Sequence, residues 1–188
     1  MGRFLLGVVI GIVLVPLAVI GWFKFGHPPV AVADAHLPFE REIVSIPLGA
    51  RIDSEEVKTP PIQPDEGTLV AGAQVYSEQC ASCHGVHGKA VSFASHMYPG
   101  APGLFEKHRN GDVVGVSDDP PGETYWKVAN GIRLSGMPSY KQILTETQMW
   151  QVSLLLANAD KPLPPAALNI LSPQTAIPAP SMIATPAK

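Results

Sequence analysis

Cysteine is scarce in this chain of 188 residues, which contains only Cys80 and Cys83. A disulfide between two residues three positions apart closes so small a loop that it adds little stability, and a structural zinc site needs four soft or imidazole ligands. An excess of charge of one sign is also lacking, because 13 basic and 16 acidic residues leave a net charge of −3. The sequence therefore has no electrostatic footprint for nucleic acid.

Both cysteines belong to the motif Cys80-Ala81-Ser82-Cys83-His84. This spacing is typical of c-type haem attachment, because two thiols one helical turn apart can each add across a vinyl group of a porphyrin and the adjacent imidazole can bind the iron. A zinc site would have to recruit histidines at irregular spacings, and a thioredoxin-like dithiol requires a βαβ pattern that does not surround Cys80. The motif therefore predicts one covalent haem c.

An uncharged run covers residues 4–23, between Arg3 and Lys24. As a helix it would be about 30 Å long, the thickness of a bilayer core, so we expect an uncleaved transmembrane anchor over residues 1–25. The alternative is a cleaved secretory signal, since Ala33-Asp34-Ala35 has the small-x-small form of a cleavage site. That site lies far beyond the apolar run, which favours the anchor.

The haem motif predicts the topology of the anchored chain. Haem is joined to such motifs on the outer side of the bacterial cytoplasmic membrane, so we expect a single-pass protein with its C-terminal bulk in the periplasm. Within the anchor, Gly7 and Gly11 form a GxxxG pair that is able to pack against another transmembrane helix.

Prolines are frequent on both sides of the central domain. Residues 26–64 are interpreted as a Pro-rich tether, with a short strand at residues 43–46 and a turn of helix at residues 54–57. Residues 161–188 are rich in proline and alanine and contain no acidic residue, which indicates a disordered or extended tail. The haem domain is therefore expected over residues 65–160.

Three helices are predicted within that domain. Asp65 caps a helix that runs to Gln79, and a short helix over residues 122–130 follows two prolines and ends before Gly131. The third helix begins at the capping box of residues 145–148.

Aromatic residues are expected to fill the core of the domain. Trp150 is predicted to pack over Gly72 and Tyr76, joining the two ends of the domain. Tyr125 and Trp126 are interpreted as core residues or as residues that pack on the haem.

Met137 is the best candidate for the second iron ligand. It lies between a glycine, which lets the backbone approach the porphyrin closely, and a proline, which stiffens the loop. A thioether favours ferrous iron and raises the reduction potential. The alternative iron ligands are His108, Met97, His96 and His87.

From about Asp65 to Asp160 the sequence resembles the class I cytochrome c family, through its first helix running into the haem motif, its Gly-Met-Pro loop and its last helix. The resemblance implies an all-α fold around one covalent haem. It also implies thioethers at the two cysteines, with His84 and Met137 as the axial ligands. A proline carbonyl should accept the second N–H of the imidazole; Pro102 fits this role, and Pro99 is the alternative.

These features together predict a membrane-tethered one-electron carrier that is not an enzyme and has no small-molecule substrate. Its partners would be a redox protein donor and acceptor, such as membrane respiratory or photosynthetic complexes. One alternative is a haem subunit fixed inside a larger oxidoreductase complex. Another is a catalytic or gas-sensing haem protein in which Met137 is displaced from the iron.

Overall fold

Helices make up the regular secondary structure of the chain. A computed structural model describes residues 1–108 and 111–173. In these residues there are no strands, and β-structure is limited to the two isolated bridges Val86–Lys89 and Lys107–Val114. The helices are α1 (Gly2–Phe25), α2 (Glu40–Glu55), α3 (Glu66–Gln79), α4 (Ala81–His84), a 3₁₀ helix (Ser92–His96), α5 (Pro121–Asn130), α6 (Glu146–Leu156) and α7 (Pro165–Ile170). The predicted all-α class is confirmed.

The chain divides into two compact units, residues 1–41 and residues 42–188. The first unit contains α1, whose 24 residues are all described and none of which is buried. By length and composition α1 is able to cross a membrane, and it contains the whole uncharged run of residues 4–23.

The second unit is built around the packing of α3 on α6 and α7, and α5 also packs on α6. Asp65 caps α3 by accepting a hydrogen bond of 2.7 Å from the Thr68 amide, and this bond keeps the pKa of Asp65 below its usual value. Thr145 and Gln148 form the capping box of α6. The predicted helix starts at these two sites are confirmed.

At Gly72 the backbones of α3 and α6 are in close contact. A Cβ atom at this position would overlap the Gln151 carbonyl and lie 3.1 Å from Cβ of Leu155. The three nearest atoms belong to Gln151 and Leu155, and the predicted packing of Trp150 over Gly72 and Tyr76 stays a prediction. Trp150 stacks on Tyr125, with ring centroids 4.2 Å apart.

The strand predicted at residues 43–46 is wrong, because these residues lie inside α2. Leu48 and Ile52 are four residues apart and share one helix face, and Ile52 is only 3 % exposed. Burial of this face favours a helix over the extended conformation that a short β-branched run suggests. The part of the predicted tether that forms α2 is therefore helical.

The tail begins with ordered structure, contrary to the prediction of disorder from residue 161. Residues 165–170 form α7, and Leu163, Ala167 and Leu171 are buried. Because α7 packs on α3, Leu163, Ala167 and Leu171 belong to the core, whereas the prolines of this segment do not. The rest of the predicted tail, residues 174–188, lies outside the described residues.

Replacing Gly72 with alanine should lower the free energy of unfolding by about 1–3 kcal/mol, because the added methyl group forces two packed helices apart. Urea unfolding of the detergent-solubilised chain, followed by circular dichroism, measures the change. Gly67→Ala in the same helix is the control, since its Cβ would approach only Asp65 Oδ1, at 3.6 Å. Equal stability of the two variants would contradict this account of the helix crossing.

Candidate haem site

The cysteine motif folds as a single helical turn directly after α3. Cys80 is the C-cap residue of α3. Its carbonyl accepts a hydrogen bond of 3.0 Å from the His84 amide. Both thiols are free. Burial raises the pKa of the Cys80 thiol to about 12, with a smaller contribution from Cys83. The turn therefore presents two sulfur groups and one imidazole within five residues.

Two tyrosine hydroxyls hold this turn at its ends. The hydroxyl of Tyr76 donates a hydrogen bond of 2.8 Å to the carbonyl of Gly85, and that of Tyr140 donates one of 2.8 Å to the carbonyl of Gln79. Burial raises the pKa of both phenols, to about 12 for Tyr140, so both remain donors at neutral pH. Residues 80–84 thus lie between two fixed carbonyl groups.

The orientation of the His84 ring is set by a proline carbonyl. Its Nδ1 atom lies 2.8 Å from the carbonyl oxygen of Pro102, which can only accept, so Nδ1 is the donor. In the neutral ring Nε2 is then the atom that carries a lone pair. Burial lowers the pKa of His84, while the bond to Pro102 acts in the opposite direction. The carbonyl is provided by Pro102, as predicted from the sequence, and not by the alternative Pro99.

A cavity of about 300 Å³ opens beside the motif. Cys80, Cys83, His84 and Met137 all line it. Most of its other lining side chains are apolar, and they include Leu48, Leu104, Val116, Val128, Ile132, Val152 and Leu156. The two residues predicted to form thioethers and the two predicted to bind the iron are therefore brought together at one apolar site.

The chemistry of this cavity fits a covalently attached porphyrin. Thiols for attachment, an imidazole with a free Nε2 and a thioether share one cavity with apolar walls. Thr124 also lines the cavity, and in the described part of the chain its buried hydroxyl oxygen has no hydrogen-bond partner. A buried polar atom of this kind indicates a group that the protein chain does not itself supply.

The loop that carries Met137 is tied back to α5. Gly131 has φ 69°, a left-handed conformation that favours glycine, and a Cβ there would lie 2.7 Å from the backbone of Pro138 and Ser139. The Ser139 hydroxyl donates to the Ala129 carbonyl at 2.6 Å, and the Tyr140 amide donates to Val128 at 3.1 Å. These contacts hold Met137 at the cavity.

Met97 lies beside Gly136, in the loop that carries Met137. It lines the same cavity, and its Cε atom is the neighbour that a Cβ on Gly136 would meet, at 2.5 Å. No histidine other than His84 appears among the described residues that line the cavity. Among the alternative ligands, Met97 is therefore the one that shares the cavity with Met137.

Tyr125 and Trp126 do not appear among the described cavity-lining residues. Tyr125 stacks on Trp150, and the indole N–H of Trp126 donates to Glu55 Oε2 at 2.9 Å. Of the two interpretations, packing in the core therefore holds for Tyr125, which packs against the core cluster. Leu48, which no sequence pattern singles out, reaches the cavity from α2 instead.

The zinc alternative lacks a ligand set. Within residues 1–108 and 111–173, no group of three or more His, Cys, Asp or Glu side chains is arranged to hold a metal ion. A zinc site built on Cys80 and Cys83 would need two further ligands from such a group.

An all-helical unit with a CxxCH turn at one apolar cavity is the arrangement of a c-type cytochrome. Residues 67–154 match the family model described as cytochrome C oxidase, cbb3-type, subunit III. This part of the chain is a class I c-type cytochrome domain, which implies covalent haem c and electron transfer with redox proteins. No curated protein and no solved structure is significantly similar to the chain.

Replacing Tyr76 with phenylalanine should lower the free energy of unfolding by about 1–3 kcal/mol, because the buried Gly85 carbonyl loses its side-chain donor. The haem bound per chain should fall as well, since the end of the cysteine turn is released. Chemical unfolding and haem-to-protein ratios measure these two effects. Tyr125→Phe is the matched control, because it removes a hydroxyl while keeping a ring to stack on Trp150; an equal loss in both variants would contradict the role of the Tyr76 bond.

Proposed function

We propose that the protein is a membrane-tethered one-electron carrier in which His84 and Met137 would both bind the iron of one covalent haem. The observation that carries the proposal is that both side chains line one cavity together with the two motif cysteines. The bond from His84 Nδ1 to Pro102 supports it, because iron-ligating histidines usually donate their other ring N–H to such a group.

Two protein ligands favour electron transfer over catalysis. The bound haem would supply a one-electron ferric–ferrous couple, and ligation by both His84 and Met137 leaves no iron position for a substrate. The backbone bonds around Met137 support a rigid ligand loop, since Ile132 N donates to Met137 O at 3.2 Å and Met137 N donates to Ser135 Oγ at 3.1 Å. A rigid loop changes little between oxidation states, which suits rapid electron exchange.

The proposed location is the bacterial cytoplasmic membrane, with the haem domain on the periplasmic side. The length and composition of α1 support a single-pass anchor, and haem attachment on the outer side supports the orientation. We assign residues 1–25 to the anchor and extend the haem domain to include α2 and α7. Donor and acceptor would be membrane respiratory or photosynthetic complexes.

A second candidate function is a haem subunit fixed inside an oxidoreductase complex. The description of the matching family, which names an oxidase subunit, favours it. Gly7 and Gly11 also leave open space on α1, since a Cβ at either position would meet nothing within 4 Å. Such a pair of glycines permits close packing of a second transmembrane helix.

Replacing Met137 with alanine should lower the reduction potential and abolish the near-infrared methionine-to-iron charge-transfer band, because a thioether ligand favours ferrous iron. Ferrous Met137→Ala protein should also bind carbon monoxide tightly. Met97→Ala is the control, since this second methionine lines the same cavity. Loss of the band in Met97→Ala and its retention in Met137→Ala would assign the ligand to Met97 and contradict the proposal.

Purification from membranes in mild detergent distinguishes the free carrier from the fixed subunit. The carrier should separate as a single haem-staining polypeptide. Co-migration with other subunits in a constant ratio, lost when Gly7 and Gly11 are both replaced by leucine, would establish the fixed subunit and overturn the free carrier.

A further inference from the structure

We infer that α2 forms one wall of the haem site and that Leu48 shields the bound haem from water. This inference rests on the proposed function, because it concerns the same cavity. It assigns a role in tuning the reduction potential to a segment that precedes the residues matched by the family model, which begin at residue 67.

The side chains of α2 support this role by their burial. Leu48 lines the cavity beside the motif cysteines. Ile52, one helical turn later on the same face, is 3 % exposed. On the opposite side of the helix, Ile43 and Ile46 are 68 % and 70 % exposed. The helix therefore directs one apolar face into the haem domain and places Leu48 at the cavity.

Contacts with α5 hold this face in position. The Trp126 indole N–H donates a hydrogen bond of 2.9 Å to Glu55 Oε2 across 71 positions in sequence. This bond, followed by the bond from Arg51, keeps the pKa of Glu55 below its usual value, so Glu55 is an ionised acceptor at neutral pH. The backbone of Val57 lies so close to Gly122 that a Cβ at Gly122 would overlap the Val57 carbonyl.

These contacts link α2 to the wall of the cavity that α5 provides. Thr124, Lys127 and Val128 of α5 line the cavity, at i, i+3 and i+4 spacing on one helix face. Fixing α2 to α5 therefore fixes Leu48 relative to the site. Trp126 and Glu55 are positioning residues in this arrangement, because they act on the site through Leu48.

An apolar side chain at this place should raise the reduction potential. Oxidation of the haem adds one positive charge to the site, and a site that excludes water solvates that charge poorly. Removing the Leu48 side chain admits water and stabilises the ferric state. The expected result is a lower potential with the axial ligands unchanged.

The test compares Leu48→Ala with Ile46→Ala in the full-length, haem-loaded protein. Both variants shorten an aliphatic side chain of α2, but only Leu48 lines the cavity, whereas Ile46 is exposed. Spectroelectrochemical titration should give a lower midpoint potential for Leu48→Ala and the wild-type value for Ile46→Ala. Both should keep the methionine charge-transfer band of the wild-type protein.

A second variant tests the hydrogen bond between α5 and α2 without changing Leu48. Trp126→Phe removes the N–H donor to Glu55 and should lower the potential in the same direction as Leu48→Ala, with faster amide exchange in α2. Glu55→Gln keeps an acceptor oxygen and should remain nearer to the wild type than Glu55→Ala.

Failure of the inference is distinct from failure of the proposed function. A haem-loaded Leu48→Ala or Trp126→Phe protein with the wild-type potential would overturn the role of α2 and leave the carrier intact. A wild-type protein without covalent haem or without the methionine band would overturn the proposed function itself.

Discussion

The site depends on two hydrogen bonds from tyrosines to the main chain on either side of the cysteine turn. Tyr76 comes from α3 and Tyr140 from the segment that follows Met137, and each donates at 2.8 Å. Because Tyr140 lies three residues after Met137, its bond also links the loop of the proposed distal ligand to the start of the turn that carries His84. The hydrogen bond of Tyr140 therefore holds both the loop that carries Met137 and the turn that carries His84.

Local signals predicted the helices that frame this site. These signals are the Asp65 cap, the Thr145 capping box and Gly131 after α5. Each acts within four residues of a helix end, so each can be recognised in the local sequence. The helical state of α2 and α7 was missed, because it depends on burial of residues such as Ile52 and Leu171 against distant parts of the chain. Proline content obscured both helices.

The candidate site also combines residues that could be predicted from the sequence with residues that could not. The CxxCH motif, Met137 and Pro102 could be selected from sequence, because their spacing or neighbours carry chemical meaning. Tyr140 bonds to a residue 61 positions away, and Leu48 reaches the cavity from a segment that resembled a linker. Nothing in their local sequence distinguishes them from ordinary core residues. Long-range packing also explains why Trp126 bonds Glu55 instead of lining the cavity as expected.

The central claim is that one covalent haem is held between His84 and Met137. The most direct measurement is magnetic circular dichroism of the ferric wild-type protein in the near infrared, combined with a pyridine haemochrome assay on the same sample. The account predicts one thioether-linked haem per chain and a low-spin histidine–methionine spectrum. A five-coordinate, high-spin or bis-histidine spectrum would contradict it.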